Sequence, residues 1–344
     1  MTDMQMQSGQ AATATKPLLD VQNLIMRYQV KQGEVSAVED VSFTLAQGEA
    51  LGLVGESGCG KTSIAMTLIR LLPENAVIKG GIVDLDGIDI GALPEKEMRK
   101  HRWKDVSMVF QGAMNSWNPV YRVGHQIMEA MRTHFPDMTE PEMRTRIVDL
   151  FELVGLSPKM MDRYPHEFSG GMRQRAVIAM ALSCNPKFII ADEPTTALDV
   201  IVQDQILTEL KKIQEELGMS IIYISHDVAV IAEVSDRIGV MYAGKLVEIG
   251  PTDEVFPRPR HPYTYLLLAS TPSVKGPRRQ LAPLEGEPPN LIAPPSGCRF
   301  HPRCPYATQK CVDEEPPMMD TASDGHFTAC WHWEQVPELG RLEA

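Results

Sequence analysis

The sequence has no apolar run of the roughly 18 to 20 residues that a membrane-spanning helix requires. Its most apolar segments, Phe188–Ala191 and Ser220–Ile224, have the length of buried strands. Residues 1–17 lack the apolar core of a secretory signal, and we expect them to form a flexible tail. These absences predict a cytosolic chain that reaches a membrane only through a partner.

Positive charge is also in deficit. The chain has 33 Lys and Arg against 45 Asp and Glu, which gives a formal net charge of −12. A nucleic-acid-binding protein needs a basic surface, and the short basic run Arg99–Lys104 is better explained as a solvated turn. We therefore expect no nucleic-acid partner.

The pattern along the chain predicts an α/β fold. Short apolar strand candidates alternate with helical patterns over residues 18–260, as in a largely parallel, buried sheet. Residues 112–180 have few strand candidates and predict an inserted helical subdomain. Residues 251–344 hold 16 of the 26 prolines and four of the six cysteines, which predicts a separate, loop-rich extension over 261–344.

A phosphate-binding loop is predicted at Gly55–Thr62, which reads GESGCGKT between an apolar strand and a helix starting near Thr62. In such a loop, backbone N–H groups cradle phosphates, Lys61 reaches the terminal phosphates and the Thr62 hydroxyl binds Mg²⁺. A chance match in a glycine-rich turn is the alternative. The predicted ATP-binding residues are Tyr28, Gly55, Glu56, Ser57, Gly58, Cys59, Gly60, Lys61, Thr62, Ser63 and Gln111.

Polar residues follow three other strand candidates. Asp192 and Glu193 end Phe188–Ala191, and they would hold Mg²⁺ and polarise the attacking water, respectively. Gln111 could reach the metal, and His226 could donate to the γ-phosphate. Taken singly, each has a simpler explanation: an exposed acidic strand end, a loop glutamine and a structural histidine. Tyr28 offers a ring for adenine, although a core tyrosine fits equally well.

Six segments occur in the order of the Walker A, Q-loop, signature, Walker B, D-loop and H-loop motifs. They are Gly55–Thr62, Gln111, Ser169–Gly171, Asp192–Glu193, Ala197–Asp199 and His226. Residues 18–259 therefore resemble the ATP-binding cassette (ABC) family. The signature departs from the usual Leu-Ser-Gly-Gly-Gln, because Phe168 and Met172 occupy its first and last positions.

The resemblance implies that two cassettes dimerise head to tail around ATP and Mg²⁺. Ser169, Gly170 and Gly171 would then contact the nucleotide bound by the partner, with Asp199 in the D-loop. It further implies that Glu193 is the general base, His226 the γ-phosphate sensor and Gln111 the link to the helical subdomain. Thr62, Gln111 and Asp192 would form the magnesium site.

Four cysteines cluster near the C-terminus as Cys298, Cys304, Cys311 and Cys330. Disulfides do not suit a reducing compartment, so metal binding is the preferred interpretation, against four unrelated thiols. The spacing lacks C-x₂-C pairs and leaves zinc and iron–sulfur open. His301, His326 and His332 could substitute as ligands.

The extension resembles the C-terminal region of ATPase subunits of oligopeptide/dipeptide-type importers. The matching segments are Arg258–Thr264 and Cys298–Pro305, together with Cys311. The resemblance implies a [4Fe-4S] cluster rather than Zn²⁺ at the four cysteines. It also implies an ATP hydrolase at the cytoplasmic face of the inner membrane, with two permease subunits, a paralogous second ATPase subunit and an extracellular solute-binding protein.

Peptides are the expected cargo, with oligosaccharides, nickel and glutathione as alternatives within the same kind of importer. A soluble ABC ATPase of DNA repair or translation is the alternative of a different class. Tandem cassettes, a long coiled coil or a basic face would favour it, and the sequence has none of these.

Overall fold

The computed structural model describes residues 16–196, 198–270, 284–323 and 325–339. All but the last two residues of the predicted tail 1–17 lie outside these ranges, as do parts of the extension and Ala197 of the predicted D-loop. The strands of the described residues are β1 (Leu19–Val30), β2 (Gly33–Leu45), β3 (Ala50–Val54), β4 (Ala76–Leu85), β5 (Ile88–Asp89), β6 (Val106–Val109), β7 (Phe188–Asp192), β8 (Ser220–Ile224), β9 (Arg237–Tyr242), β10 (Lys245–Pro251), β11 (Met319–Asp320) and β12 (Phe327–Thr328).

The α-helices of the same residues are α1 (Lys61–Leu68), α2 (Glu95–His101), α3 (Val123–His134), α4 (Glu140–Leu153), α5 (Gly170–Leu182), α6 (Val200–Leu217), α7 (Val228–Val234), α8 (Thr252–Val255), α9 (Pro262–Ala269) and α10 (Gln309–Asp313). Short 3₁₀ turns connect several of them, including Ala113–Asn115 before α3 and Pro165–Glu167 before α5.

Two sheets form the frame. The larger has the order β11-β12-β10-β9-β3-β8-β7-β6, and its strands from β9 to β6 are parallel neighbours. The smaller has the order β2-β1-β4-β5 and is antiparallel. The predicted α/β fold with a buried, largely parallel sheet is thus confirmed.

The parallel strands are apolar throughout because the large sheet is covered on both faces. Successive residues of a strand point to opposite faces, so Leu51 and Leu53 join one core while Ala50 and Val54 join the other. The first core lies against α1 and the small sheet, and the second lies against α3 to α7. This packing fixes where the carboxyl ends of the strands meet.

Residues 112–182, all of which the structure describes, contain helices and 3₁₀ turns and no strand. Helix α4 begins with a capping box between Thr139 and Glu142, which satisfies its first free N–H groups. Asp199 caps the first turn of helix α6, and Gly218, with φ 59°, ends the helix.

The extension does not stand apart as its composition predicts. Strand β12 pairs with β10 and adds two short strands to the edge of the large sheet. The carboxylate of Glu248 on β10 is fully buried and accepts hydrogen bonds from three groups of the following chain. These are the N–H of Arg260 at 2.6 Å, the N–H of His261 at 2.9 Å and Nε2 of His326 at 2.7 Å.

Among the described residues, no helix combines the length and apolar character needed to cross a bilayer.

The Glu248 network predicts a large stability cost for Glu248→Ala, because three buried donors lose their acceptor. We expect the free energy of unfolding to fall by about 3 to 5 kcal/mol, measured by urea denaturation. Glu254→Ala is the control, since Glu254 pairs with Arg258 near the surface, and it should cost at most about 1 kcal/mol. Equal losses in the two variants would contradict the structural importance of the network.

Candidate functional site

The loop between β3 and α1 has the form of a phosphate-binding loop. The Lys61 side chain is buried, and its Nζ donates to the carbonyl oxygens of Gly55 at 2.6 Å and Glu56 at 3.1 Å. The helix begins at Lys61, so its positive end faces the loop. A cation here and free N–H groups suit a multiply charged anion such as a nucleotide phosphate.

Two glycines of this region are required by geometry. Gly60 has φ 108°, and a Cβ on it would lie 2.3 Å from the carbonyl oxygen of Ala37. Gly171, in the signature segment, would place a Cβ 2.8 Å from Cγ1 of Val202 on α6. Gly60 therefore excludes any side chain, because the obstructing atom belongs to the backbone, whereas a side chain at Gly171 would require Val202 to shift.

Glu193 lies at the centre of a hydrogen-bond network beyond the end of β7. Its Oε2 accepts from Nε2 of Gln111 at 2.6 Å and from Oγ1 of Thr196 at 2.9 Å, and its Oε1 lies 3.1 Å from Nδ1 of His226. Glu193 has φ 46°, and its N–H donates to the carbonyl of Ile224 on β8. The structure thus brings together three residues predicted from separate strand ends.

Burial alone would raise the pKa of Glu193, but the hydrogen bonds from His226 and Thr196 outweigh it and the pKa lies below the ordinary value. The carboxylate is therefore ionised at neutral pH. An ionised side chain at this position can accept a proton from a bound water.

Asp192, the last residue of β7, is 1% exposed. Burial raises the pKa of its carboxyl, although a hydrogen bond to the Thr62 side chain opposes the shift. Its Oδ1 has no hydrogen-bond partner in the described chain. An orphaned buried carboxylate oxygen beside a loop hydroxyl is an arrangement that a hydrated Mg²⁺ would complete, so these residues fit the ion.

Tyr28 lies on β1, and its hydroxyl is 3.1 Å from Oγ of Ser63 in the first turn of α1. The ring is half-buried against the core beneath the small sheet. This contact places Tyr28 beside the helix that follows the phosphate-binding loop.

The signature residues do not share hydrogen bonds with that loop in the described part of the chain. Ser169 caps α5 by accepting the N–H of Met172 at 3.2 Å, and among the described residues no hydrogen bond joins Ser169–Gly171 to Gly55–Ser63. Phe168 is buried in the core of the helical region, and Met172 packs against the same core. The two unusual signature residues thus have a packing role, while Ser169 and the glycines stay at the helix start.

The four C-terminal cysteines are free thiols that line one small pocket, together with His261, Phe300, His301, His332 and other residues. Burial, reinforced by the neighbouring thiols, raises the pKa of Cys304 to about 11 and of Cys330 to about 12. No three His, Cys, Asp or Glu side chains of the described residues are arranged to hold a metal ion. The thiols converge on one pocket but do not form a closed ligand set.

One predicted ligand is wrong. His326 is bonded to Glu248 and does not line the cysteine pocket, because it belongs to the edge strand region instead. Sequence reasoning also missed Thr196, Tyr263 and Arg303. Thr196 had a detectable signal, since it follows the acidic pair closely, whereas the other two act on the phosphate-binding loop from more than 200 residues away.

Comparisons with known proteins agree with this geometry. A family model described as ABC transporter matches residues 38–196, and one described as oligopeptide/dipeptide transporter, C-terminal region, matches residues 247–311. The oligopeptide transport ATP-binding protein OppD of Bacillus subtilis is 46% identical over 91% of this chain and 88% of its own length. The dipeptide transport ATP-binding protein DppD of the same organism is 44% identical over 93% and 96%. OppD of Salmonella typhimurium is 44% identical over 96% and 97%.

Among solved structures, a dimeric ATP-binding cassette in a post-hydrolysis state with bound ADP and Pi matches with a TM-score of 0.61. It is 26% identical, and the match covers 68% of this chain and 98% of that one. The fold and site thus define an ATP-hydrolysing cassette. The chain belongs to the ABC transporter family.

Proposed function

We propose that this chain is the ATP-hydrolysing subunit of an importer that takes up oligopeptides or dipeptides. The observation that carries the proposal is the match of residues 247–311 to the C-terminal region of oligopeptide/dipeptide transporters. Relatives named for oligopeptide and dipeptide transport, which match over nine tenths of the chain, support the same cargo. These names favour peptides over nickel, oligosaccharides and glutathione.

ATP binding begins at the phosphate-binding loop. Lys61 exchanges the carbonyls of Gly55 and Glu56 for the terminal phosphates, and backbone N–H groups of the loop bind the remaining oxygens. Thr62, Asp192 and Gln111 would hold Mg²⁺, which neutralises charge on the phosphates when it is bound. Tyr28 lies where its ring can stack on the adenine.

Glu193 is proposed as the general base for hydrolysis. Its carboxylate is ionised and held by side chains from three directions, so little rearrangement is needed for it to orient a water. His226 donates to the γ-phosphate in this mechanism, and Gln111 relays the state of the site to the helical region 112–180.

A partner completes the site. Ser169, Gly170 and Gly171 are proposed to contact the nucleotide of a second ATPase subunit, a paralogue of this chain, with Asp199 at the interface. The lack of any hydrogen bond between these residues and the chain's own loop, within the described residues, supports this arrangement. The pair would sit at the cytoplasmic face of the inner membrane, against two permease subunits that receive cargo from an extracellular binding protein.

Native mass spectrometry of the purified complex should give two ATPase subunits of different mass, and two copies of this chain would contradict the paralogue.

The four-cysteine pocket is proposed to hold a [4Fe-4S] cluster. The convergence of four free thiols on one pocket supports it, and so does the family match that includes three of them. The lack of a closed ligand set weighs against it, because the thiols would have to lose protons and move inward. A bound cluster would supply cross-links between distant segments.

Glu193→Gln should retain ATP binding and reduce steady-state hydrolysis by about a hundredfold or more, since the amide cannot accept the proton. Binding is measured by calorimetry and turnover by phosphate release from the assembled complex. Cells that carry this variant should also lose uptake of a labelled tripeptide.

Glu215→Gln, an exposed acid-to-amide change on α6, is the matched control and should leave turnover and uptake unchanged. Undiminished hydrolysis in Glu193→Gln would remove Glu193 from the mechanism. Loss of nickel uptake with normal peptide uptake would refute the proposed cargo.

Anaerobically purified chain should contain iron and labile sulfide in equal amounts and absorb in the visible region, as thiolate-bound clusters do. Cys298→Ser should abolish the absorbance, whereas Cys184→Ser, a buried thiol outside the pocket, should leave it intact. Zinc without iron, or no metal at all, would overturn the assignment.

A further inference from the structure

Glu56, the second residue of the phosphate-binding loop, is held by two residues of the C-terminal extension. Both terminal nitrogens of Arg303 donate to its carboxylate, Nη1 to Oε2 at 2.7 Å and Nη2 to Oε1 at 3.2 Å. The hydroxyl of Tyr263 accepts the backbone N–H of Glu56 at 2.9 Å. Residues outside the loop thus hold both the side chain and the backbone of Glu56.

The Arg303 side chain has little freedom to leave this contact. It is 5% exposed, its Nε donates to the carbonyl of Glu285 at 2.8 Å, and its guanidinium lies 5.7 Å from the ring centre of Tyr242. Burial opposes the charge, but the hydrogen bonds to Glu56 and Tyr242 outweigh it and raise the pKa of Arg303. A bidentate pair between a planar guanidinium and a carboxylate fixes the orientation of the two groups as well as the distance between them.

The second contact is equally confined. Tyr263 is fully buried, and its ring lies 4.6 Å from that of Tyr242 and 5.4 Å from that of Phe300. A fixed ring holds its hydroxyl at one place, so the Glu56 N–H cannot swing away without breaking a buried hydrogen bond.

Both contacts lead back to the cysteine pocket. Arg303 immediately precedes Cys304, and Phe300 lines the pocket and touches Tyr263. His261, two residues before Tyr263, lines the pocket as well and accepts the N–H of Tyr263 at 3.0 Å. The residues that hold Glu56 are thus joined to the lining of the pocket through the chain at Arg303–Cys304 and through the contacts of Tyr263 with Phe300 and His261.

The same Glu56 supplies one of the two carbonyl oxygens that accept hydrogen bonds from Lys61. Its position consequently sets where Lys61 rests and where the following N–H groups point. Arg303 and Tyr263 contact Glu56 and not the reacting atoms. They therefore affect the affinity for nucleotide rather than the rate of the chemical step.

We propose that Arg303 and Tyr263 are positioning residues of the phosphate-binding loop, and that through Glu56 they couple the state of the four-cysteine pocket to nucleotide affinity. An ordered pocket keeps the loop in its binding shape, and a disrupted pocket weakens ATP binding with little effect on turnover at saturation. The inference rests on ATP hydrolysis by this chain.

The first experiment compares Arg303→Gln with Arg260→Gln in the assembled complex. We expect Arg303→Gln to raise both KM for ATP and Kd for ADP about tenfold while kcat stays within about twofold. Arg260 is a shielded arginine just before the extension, and its side chain lies beside Glu338 and Trp333 rather than the loop, so its variant should show neither change. Glu56→Gln should weaken binding similarly, and the double variant Glu56→Gln/Arg303→Gln should be no worse than either single one.

The second experiment tests the coupling to the thiols. Cys330→Ser changes a residue that touches neither Glu56 nor Arg303, and it should raise Kd for ADP in the wild-type background. In the Arg303→Gln background it should add less than about twofold, because the route to the loop is already broken. Tyr263→Phe keeps the ring and removes the hydroxyl that accepts the Glu56 N–H. Its Kd for ADP tests the same contact independently if a cysteine variant folds poorly.

Unchanged nucleotide affinity in both Arg303→Gln and Tyr263→Phe would overturn the proposal, as would a fall in kcat with affinity intact. A Cys330→Ser effect that persists undiminished in the Arg303→Gln background would overturn the coupling. Failure of the wild-type complex to hydrolyse ATP would refute the proposed function instead, so the two failures are distinguishable.

Discussion

The contact between Arg303 and Glu56 connects the C-terminal extension to the phosphate-binding loop. A phosphate-binding loop has to hold its N–H groups open around a ligand, which leaves it few contacts of its own on that side. Support must therefore come from outside, and here Tyr263 and Arg303 provide it. The extension is in this sense part of the nucleotide site, and the buried Glu248 network fastens it to the large sheet.

The second constraint is the meeting of strand ends. Parallel pairing of β6, β7 and β8 places Gln111, Glu193 and His226 at one edge, where the side chains of Gln111 and His226 contact the Glu193 carboxylate. The network keeps Glu193 ionised, and it uses the groups that ATP would engage.

Much of the site could be predicted because its information is local. The motif in Gly55–Thr62 is sufficient to predict a phosphate-binding loop. Apolar strands followed by polar residues predict that Asp192 and His226 lie at the same edge of the sheet. Family resemblance added the order of the motifs and the meaning of Ser169 in a partner's site, which remains a prediction.

The rest depends on long-range contacts that no local pattern encodes. Arg303 and Glu56 are separated by 247 residues. A proline-rich composition suggested a separate extension, yet the pairing of β12 with β10 and the Glu248 network join it to the sheet. His326 shows the same limit, since clustering with cysteines in sequence suggested a ligand while burial beside Glu248 decided its place.

Hydrogen exchange at the Glu56 amide tests most directly whether the extension holds the phosphate-binding loop. In the nucleotide-free wild-type chain this amide should exchange slowly, because it donates to the buried hydroxyl of Tyr263. In Tyr263→Phe the same amide should exchange markedly faster while amides of β3 stay protected. Equal exchange at Glu56 in the two proteins would contradict the account.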